Sequence, residues 1–279
     1  MMKKDMLYYE NSNGERVYFT RPPYRMLAET NLFDYKWGYN QSSIGIKNVY
    51  KDPIEKKITI VVTGKNYANY KYNCDKLFSV FEKDSISGKS GNIVYNGYRL
   101  PCMFISKQNP EKFITNYPSK IEFMLVPTSN GTWLKDIKKD FQFNSMSTSE
   151  FLDYPHGYPY DYLTHTGYSD TIDIDTFLKV YPVITIFGIA SNPFVRVANK
   201  TYGVNTNLAE SDTLTLDSYN KKFYITSSSG NFINVFDKRI SNEMLDGMAL
   251  TAGSYQVYWE GDFNFSVDLI CERSEPSWS

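Results

Sequence analysis

Histidine and cysteine are scarce in this chain, with two and three copies in 279 residues. That scarcity removes most of the side chains from which metal centres and nucleophile–base pairs are built. His156 and His165 lack the Cys or His neighbours of a zinc cluster, and although either could serve as a base, no nucleophile is marked for it. Cys74, Cys102 and Cys271 lie far apart, odd in number and without CxxC spacing, which fits neither a disulfide framework nor a zinc site and predicts buried, reduced thiols. Net charge is also missing. Thirty basic residues against 31 acidic leave a formal charge of -1, so no global field draws the protein to nucleic acid or an anionic membrane. Lys3 and Lys4 precede no apolar run, and no stretch approaches the roughly 20 apolar residues of a membrane span. The expectation is a protein made and kept soluble in the cytoplasm.

Aromatic residues are abundant. They make up 16% of the chain, including 24 Tyr and 18 Phe, and such rings suit half-buried sheet surfaces better than helix interiors. The length exceeds the ~100–200 residues of one ordinary domain, which predicts two domains, with a single large β-domain as the alternative.

Along the chain, Asn11-Ser12-Asn13-Gly14 supplies turn residues tolerant of positive φ, and strand-like Val17-Tyr18-Phe19 follows, so the first segment reads as a hairpin ended by Arg21-Pro22-Pro23-Tyr24. After a break at Asp52-Pro53, Ile58, Ile60 and Val62 alternate with Thr59, Val61 and Thr63 in a strand over 57–63. The period then changes. Tyr70, Cys74, Leu77, Phe78 and Phe81 form one stripe, which predicts a helix over 70–81 closed by Ser87-Gly88-Lys89-Ser90-Gly91. Strands at 92–95, 98–105 and 120–126 come next, punctuated by Asn96-Gly97, Asn109-Pro110 and Pro118. Between 133 and 181 the periodicity fades, and the Tyr-, Pro- and Gly-rich run 153–162 reads as part of an extended connector lying against a domain or a neighbouring subunit. From Pro182 short strands return at 183–187, 194–197, 202–208, 213–216, 223–226, 248–250, 255–259 and 263–271, the pattern of an antiparallel sandwich.

Local chemistry is sparse. Gly88-Lys89-Ser90 resembles the end of a phosphate-cradling loop, but Lys83 stands where the first glycine belongs and the fragment follows a helix. Asp170, Asp173 and Asp175 lack the glycine and closing Glu of a calcium loop and read as strand-edge carboxylates. Paired carboxylates for glycoside hydrolysis have no local signature. The Asn-x-Ser/Thr triplets at Asn40, Asn130 and Asn199 carry no weight without a secretory route. No catalytic, cofactor or metal residues are predicted.

The remaining pattern runs through Tyr158-Pro159-Tyr160-Asp161-Tyr162, Ile184-Thr185-Ile186-Phe187-Gly188 with Asn192-Pro193, and Leu214-Thr215-Leu216-Asp217-Ser218. It continues in Asn234-Val235-Phe236 with Lys238-Arg239, in Trp259-Glu260-Gly261-Asp262-Phe263, and in Glu272-Arg273-Ser274-Glu275-Pro276-Ser277-Trp278. In the first half, Asn11 to Gly14 with Pro22-Pro23-Tyr24, and Ile121 to Val126 with Trp133, match more loosely. In this order the pieces resemble the distal tail (Dit) proteins of bacteriophage tails, in a short, siphovirus-type form. The resemblance implies a mainly β protein with an N-terminal ring (belt) domain over 1–140, built as a sheet or split barrel with one helix. An extended Tyr/Pro-rich linker over 141–181 and a galectin-like antiparallel sandwich over 182–279 would follow.

Six copies would then close a ring joining the tail tube to tail-tip and receptor-binding proteins in the virion. DNA would pass through the lumen without specific binding, and no membrane would be involved. The short form lacks the long insertion of enlarged relatives, so sugar binding is not implied, and fold alone confers no function. A rival reading is a carbohydrate-binding module holding host-wall glycans on aromatic faces such as Trp259 or Tyr258. A third is a wall hydrolase. The segment from Glu272 to Trp278 has two readings: a docking tail anchored by the tryptophan, or a tail folded back on its own domain.

Overall fold

The structure, a computed structural model, describes residues 6–51, 53–108, 119–142, 167–174, 179–241 and 249–276. It divides into two compact units, Met1–Lys135 with Glu272–Ser279, and Asp136–Cys271. The first unit therefore closes at Lys135 and takes in residues 272–276, whereas the expected boundaries put these residues with the second domain.

In the first unit the chain forms β1 (Leu7–Glu10), β2 (Arg16–Tyr18), β3 (Thr20–Arg21), β4 (Tyr24–Met26), β5 (Trp37–Ser42), β6 (Gly45–Lys51) and β7 (Lys56–Val62). Helix α1 (Tyr67–Ser87) follows, then β8 (Gly91–Tyr95), β9 (Tyr98–Gln108), β10 (Ser119–Pro127) and the start of β11 (Trp133–Phe141). The opening hairpin β1–β2 turns on Asn11, whose carboxamide oxygen accepts from the amides of Asn13 and Glu15, with Gly14 at φ +82°. The strands run β11-β9-β10-β7-β4-β3, and β8 leads from β9 to β1 and β2. In β7 the expected alternation appears as Ile58, Ile60 and Val62, all fully buried.

Helix α1 is longer than the apolar stripe predicts. It starts at the side chain of Asn66, which accepts from the Asn69 amide, and it stops at Gly88 in the left-handed region. Its stripe of Tyr70, Cys74, Leu77 and Phe81 is buried against the sheet, where Phe81 stacks on Phe104 at 3.8 Å and meets Phe123 edge-on at 5.0 Å. Gly88-Lys89-Ser90 is thus a helix C-terminus, where carbonyls rather than amides point outward, and this geometry does not cradle phosphate.

The second unit holds the rest of β11, then β12 (Gly167–Ile174), β13 (Val180–Phe187), β14 (Ala190–Ser191), β15 (Phe194–Val197), β16 (Lys200–Gly203) and β17 (Asn207–Leu208). It continues with β18 (Thr213–Asp217), β19 (Lys222–Thr226), β20 (Phe232–Asn234), β21 (Gly253–Glu260) and β22 (Asn264–Arg273), whose last two residues count with the first unit. One sheet runs β20-β19-β18-β13-β22-β11, the other β12-β21-β15-β16. The pairs β12–β21, β21–β15, β15–β16, β22–β13, β13–β18, β18–β19 and β19–β20 are all antiparallel, and a single core lies between residues such as Ile184, Ile186, Leu214 and Phe265 and residues such as Val195, Val257 and Trp259. This is the predicted sandwich.

Three expectations need correction. The connector over 141–181 contains β12, paired with β21 along its whole length, because Ile172 and Ile174 alternate with Thr171 and Asp173 and bury against the core. The strand expected over 202–208 is two strands, β16 and β17, separated by Val204–Thr206. No strand was expected between Tyr24 and Asp52, where β5 and β6 form a long hairpin. The Tyr-rich run 153–162, both histidines, Asp175 and Trp278 lie outside the described residues.

Candidate subunit interface

The hairpin of β5 and β6 pairs only with itself among the described residues, so both outer edges offer unpaired backbone groups. Register places Trp37 opposite Lys51, Tyr39 opposite Val49 and, after a bulge, Gln41 opposite Ile46. Cross-strand partners share a face and neighbours alternate, so Trp37, Tyr39, Ile46 and Val49 lie on one side of the ribbon. In a monomeric globular protein such a face would be covered, yet all four are exposed, and Ile44 at the tip is 96% exposed. On the opposite face the Tyr50 ring lies over Gly38, and a β-carbon at Gly38 would meet it at 2.6 Å. An isolated two-stranded hairpin is marginally stable in water, and an exposed apolar ribbon with free edges is a template for another chain.

The root of the hairpin is anchored. Lys51 Nζ sits 5.5 Å from the Tyr35 ring centroid and 6.0 Å from that of Trp37, with no hydrogen-bond acceptor among the described residues. Burial, reinforced by the neighbouring Lys56 charge and opposed by Glu272, pulls its pKa down to about 8. Lys56, also lowered by burial, donates to the Asp34 carbonyl. The hairpin carries Lys36, Lys47 and Lys51 within 35–51 and no acidic residue.

The C-terminal tail belongs to this same unit. Arg273 donates to the Tyr98 hydroxyl at 3.2 Å, and Pro276 is buried. The described part of the tail is therefore neither a free docking arm nor folded onto the second unit.

Elsewhere the candidate residues dissolve into packing. Cys74, Cys102 and Cys271 are buried free thiols, and burial raises Cys102 to about 12, so it is inert at neutral pH. Asp84 is fully buried at the foot of α1, accepting from the Tyr9 hydroxyl at 2.5 Å and the Ser12 amide at 2.9 Å. Burial and this bond push the Tyr9 phenol far upward. The carboxylate staples the opening hairpin to the helix. Asp268 is raised by burial and, to a lesser degree, by Asp136 and Asp140, with Lys138 acting against them. Asp170 and Asp173 lie exposed on β12, an edge strand in the described sheet, and Asp170 pairs with Lys139 at 3.3 Å. No group of three potential metal ligands occurs among the described residues, and no helix among them is long and apolar enough to cross a membrane.

The glycan-anchor reading fails at Trp259. Its side chain is in the core, edge-on to Phe265 at 5.0 Å and Phe141 at 6.0 Å, because it shares the inward parity of Val257 on β21. Tyr258, facing outward, donates to Glu260 and carries the Arg196 guanidinium 5.8 Å over its ring.

No protein-family model and no curated protein matches the sequence. Solved structures do. The chain superposes on the Dit protein (gp 19.1) of phage SPP1, described as a paradigm of the hub adsorption apparatus in phages infecting Gram-positive bacteria. That match has a TM-score of 0.55 and 9% identity over 97% of this chain and 100% of the other. It also matches a chain of the phage P2 baseplate in its activated conformation with Ca, at TM-score 0.61 and 13% identity, covering 95% of this chain and 98% of that one. The same baseplate with Sr gives 0.60 and 12% identity at the same coverage. The fold is that of phage hub proteins along nearly the whole chain.

Proposed function

We propose that this chain is the structural hub of a phage tail tip or baseplate, a distal tail protein of the short form with no catalysis of its own. The observation that carries the reading is the correspondence in fold over 95–97% of the chain to the SPP1 Dit protein and to chains of the P2 baseplate. A shared single domain would say little, but here both units follow in the same order.

The hairpin supplies the means of assembly. A ribbon with one apolar face and two free edges, anchored at its root, suits docking onto the next copy. A patch that meets a different patch on its neighbour gives a heterologous contact, and such contacts close into rings when the rotation allows. In our reading six copies close around the tail axis. The first unit forms the belt against the tail tube, and the second stands as a platform for tail-tip and receptor-binding proteins. The ring lets DNA pass without gripping it, and the protein resides in the virion after assembly in the bacterial host cytoplasm.

Negative-stain electron microscopy of the purified protein at high concentration, and immunolabelling of tails, test this. The expected result is a six-fold ring located at the distal tube end. A different protein in that position would overturn it.

A further inference from the structure

The larger sheet of the second unit ends at β20, which pairs only with β19 among the described residues. Tyr224 lies opposite Asn234, Ile225 opposite Ile233 and Thr226 opposite Phe232. Two hydrogen bonds fix which way the backbone of β20 points. The Val235 amide donates to the Phe223 carbonyl at 2.9 Å and the Ser227 amide to the Asn231 carbonyl at 3.0 Å, so 231, 233 and 235 are the hydrogen-bonded positions of the antiparallel ladder. Phe232 and Asn234 alternate with them. Their amides and carbonyls therefore face away from β19, with no backbone partner among the described residues.

The side chains show the same unfinished edge. One row of the inner face runs Ile186, Leu214, Ile225 and Ile233 from β13 to β20, and its members are 0%, 0%, 6% and 52% exposed. A core row that stops on a half-uncovered isoleucine lacks its next apolar neighbour. On the outer face Phe232 is exposed and meets Tyr224 edge-on at 5.5 Å. Natural edges are blunted by charge, proline or a bulge, as Asp170 and Asp173 do on β12. The edge at β20 has none of these. Its pairing with β19 runs without a shift in register, and residues 223–236 contain no charged residue and no proline. The charges that flank this run, Lys222 and Asp237, lie beyond the residues that pair β19 with β20.

We infer that β20 receives an extended, uncharged segment of another protein as an additional antiparallel strand. The segment's amides and carbonyls pair with those of Phe232 and Asn234, and an apolar residue opposite Ile233 continues the core row. That central pair is of the non-hydrogen-bonded kind, the closer of the two, which favours a β-branched side chain there. A charged residue in its place would be set against the edge of the core. A second copy of this chain is not the occupant. Pairing β20 with itself needs a twofold axis between the two strands, which neighbours in a single six-fold ring lack. For that choice the inference rests on the hub reading, and it names the kind of segment that the platform takes.

Hydrogen–deuterium exchange of the full chain, read by mass spectrometry over residues 228–235, tests it. The probes are acetylated and amidated pentapeptides Thr-Thr-X-Thr-Thr, with Val, Ile or Phe at X, titrated into the millimolar range. The control peptide is N-methylated on the two threonines that flank X, which removes the donors to Phe232 and Asn234. The expected result is saturable protection of the Phe232 and Asn234 amides by at least one peptide and none by the control. Ile233→Lys, a charge on the open edge, should abolish the protection while exchange in β13 and β18 stays unchanged. No protection by any of the three peptides overturns the inference, as does equal protection by the control. Protection that appears without peptide and grows with protein concentration gives the edge to a second copy and overturns it equally. A chain that takes up the peptides but forms no ring supports the strand site and contradicts the hub reading alone, whereas a ring that takes up no peptide contradicts this inference alone.

Discussion

Asp84 ties the opening hairpin of the first unit to its helix. It is a carboxylate with no exposed surface, and its oxygens accept from the Tyr9 phenol and the Ser12 amide, tying two segments more than 70 residues apart. Removing one partner of a buried hydrogen-bonded group leaves the other desolvated and unpaired, so Asp84→Ala should lower stability by about 3 kcal/mol in urea denaturation. Lys51 gives a signed pH dependence. Its folded pKa of about 8 lies below the ordinary lysine value of about 10.4, so between these values the unfolded chain binds more protons and stability rises with pH. The cost of burying the ammonium is therefore complete below about pH 8. Lys51→Met should raise the melting temperature at pH 7, and that gain should shrink through this window and be largely gone above about pH 10.5. Asp268 acts in the opposite sense. Its raised pKa penalises the ionised form, so Asp268→Asn should stabilise at neutral pH and lose the advantage as the pH falls into the carboxylate range. None of these environments shows in sequence, where Asp84 is one of 31 acids and Lys51 one of 30 bases. Trp259 misled for a related reason. Its neighbour Tyr258 is equally aromatic, and only the parity of β21 decides which of the two faces water.

At the scale of elements, legibility follows length and period. Helix α1 was visible because five apolar residues repeat at helical spacing, though its first turn was not, since Asn66 caps it ahead of the stripe. The strands β7, β9 and β13 were visible because buried residues alternate over seven or more positions. Strands β14 and β17 have two residues each and β20 has three, too few for a period to register. The β5–β6 hairpin went unread for a different reason. Its apolar residues face solvent and a bulge shifts their parity, so they imitate no core-facing strand. The same feature makes the hairpin testable as an interface. Ile46→Asp with Val49→Asp puts two carboxylates on its open face, away from both cores. The change should leave the unfolding free energy within about 0.5 kcal/mol while abolishing assembly, as sedimentation velocity would read directly.

At the scale of the molecule, two β units have separate cores, and the first leaves an apolar ribbon exposed. The resemblance in sequence order pointed to this class of protein, and the fold agrees with it along nearly the whole chain at 9–13% identity. What composition and spacing could not supply is how copies would meet in the proposed ring, because an interface between subunits has no periodic signature within one of them. In our proposal the ring closes through the hairpin. Native mass spectrometry of the full-length protein across a concentration series, beside the Ile46→Asp, Val49→Asp variant, tests it most directly. The expected result is a hexamer that grows in with concentration for the unmodified chain and a monomer for the variant at every concentration. A hexamer that forms equally well in both, or an unmodified chain that stays monomeric throughout, would contradict it.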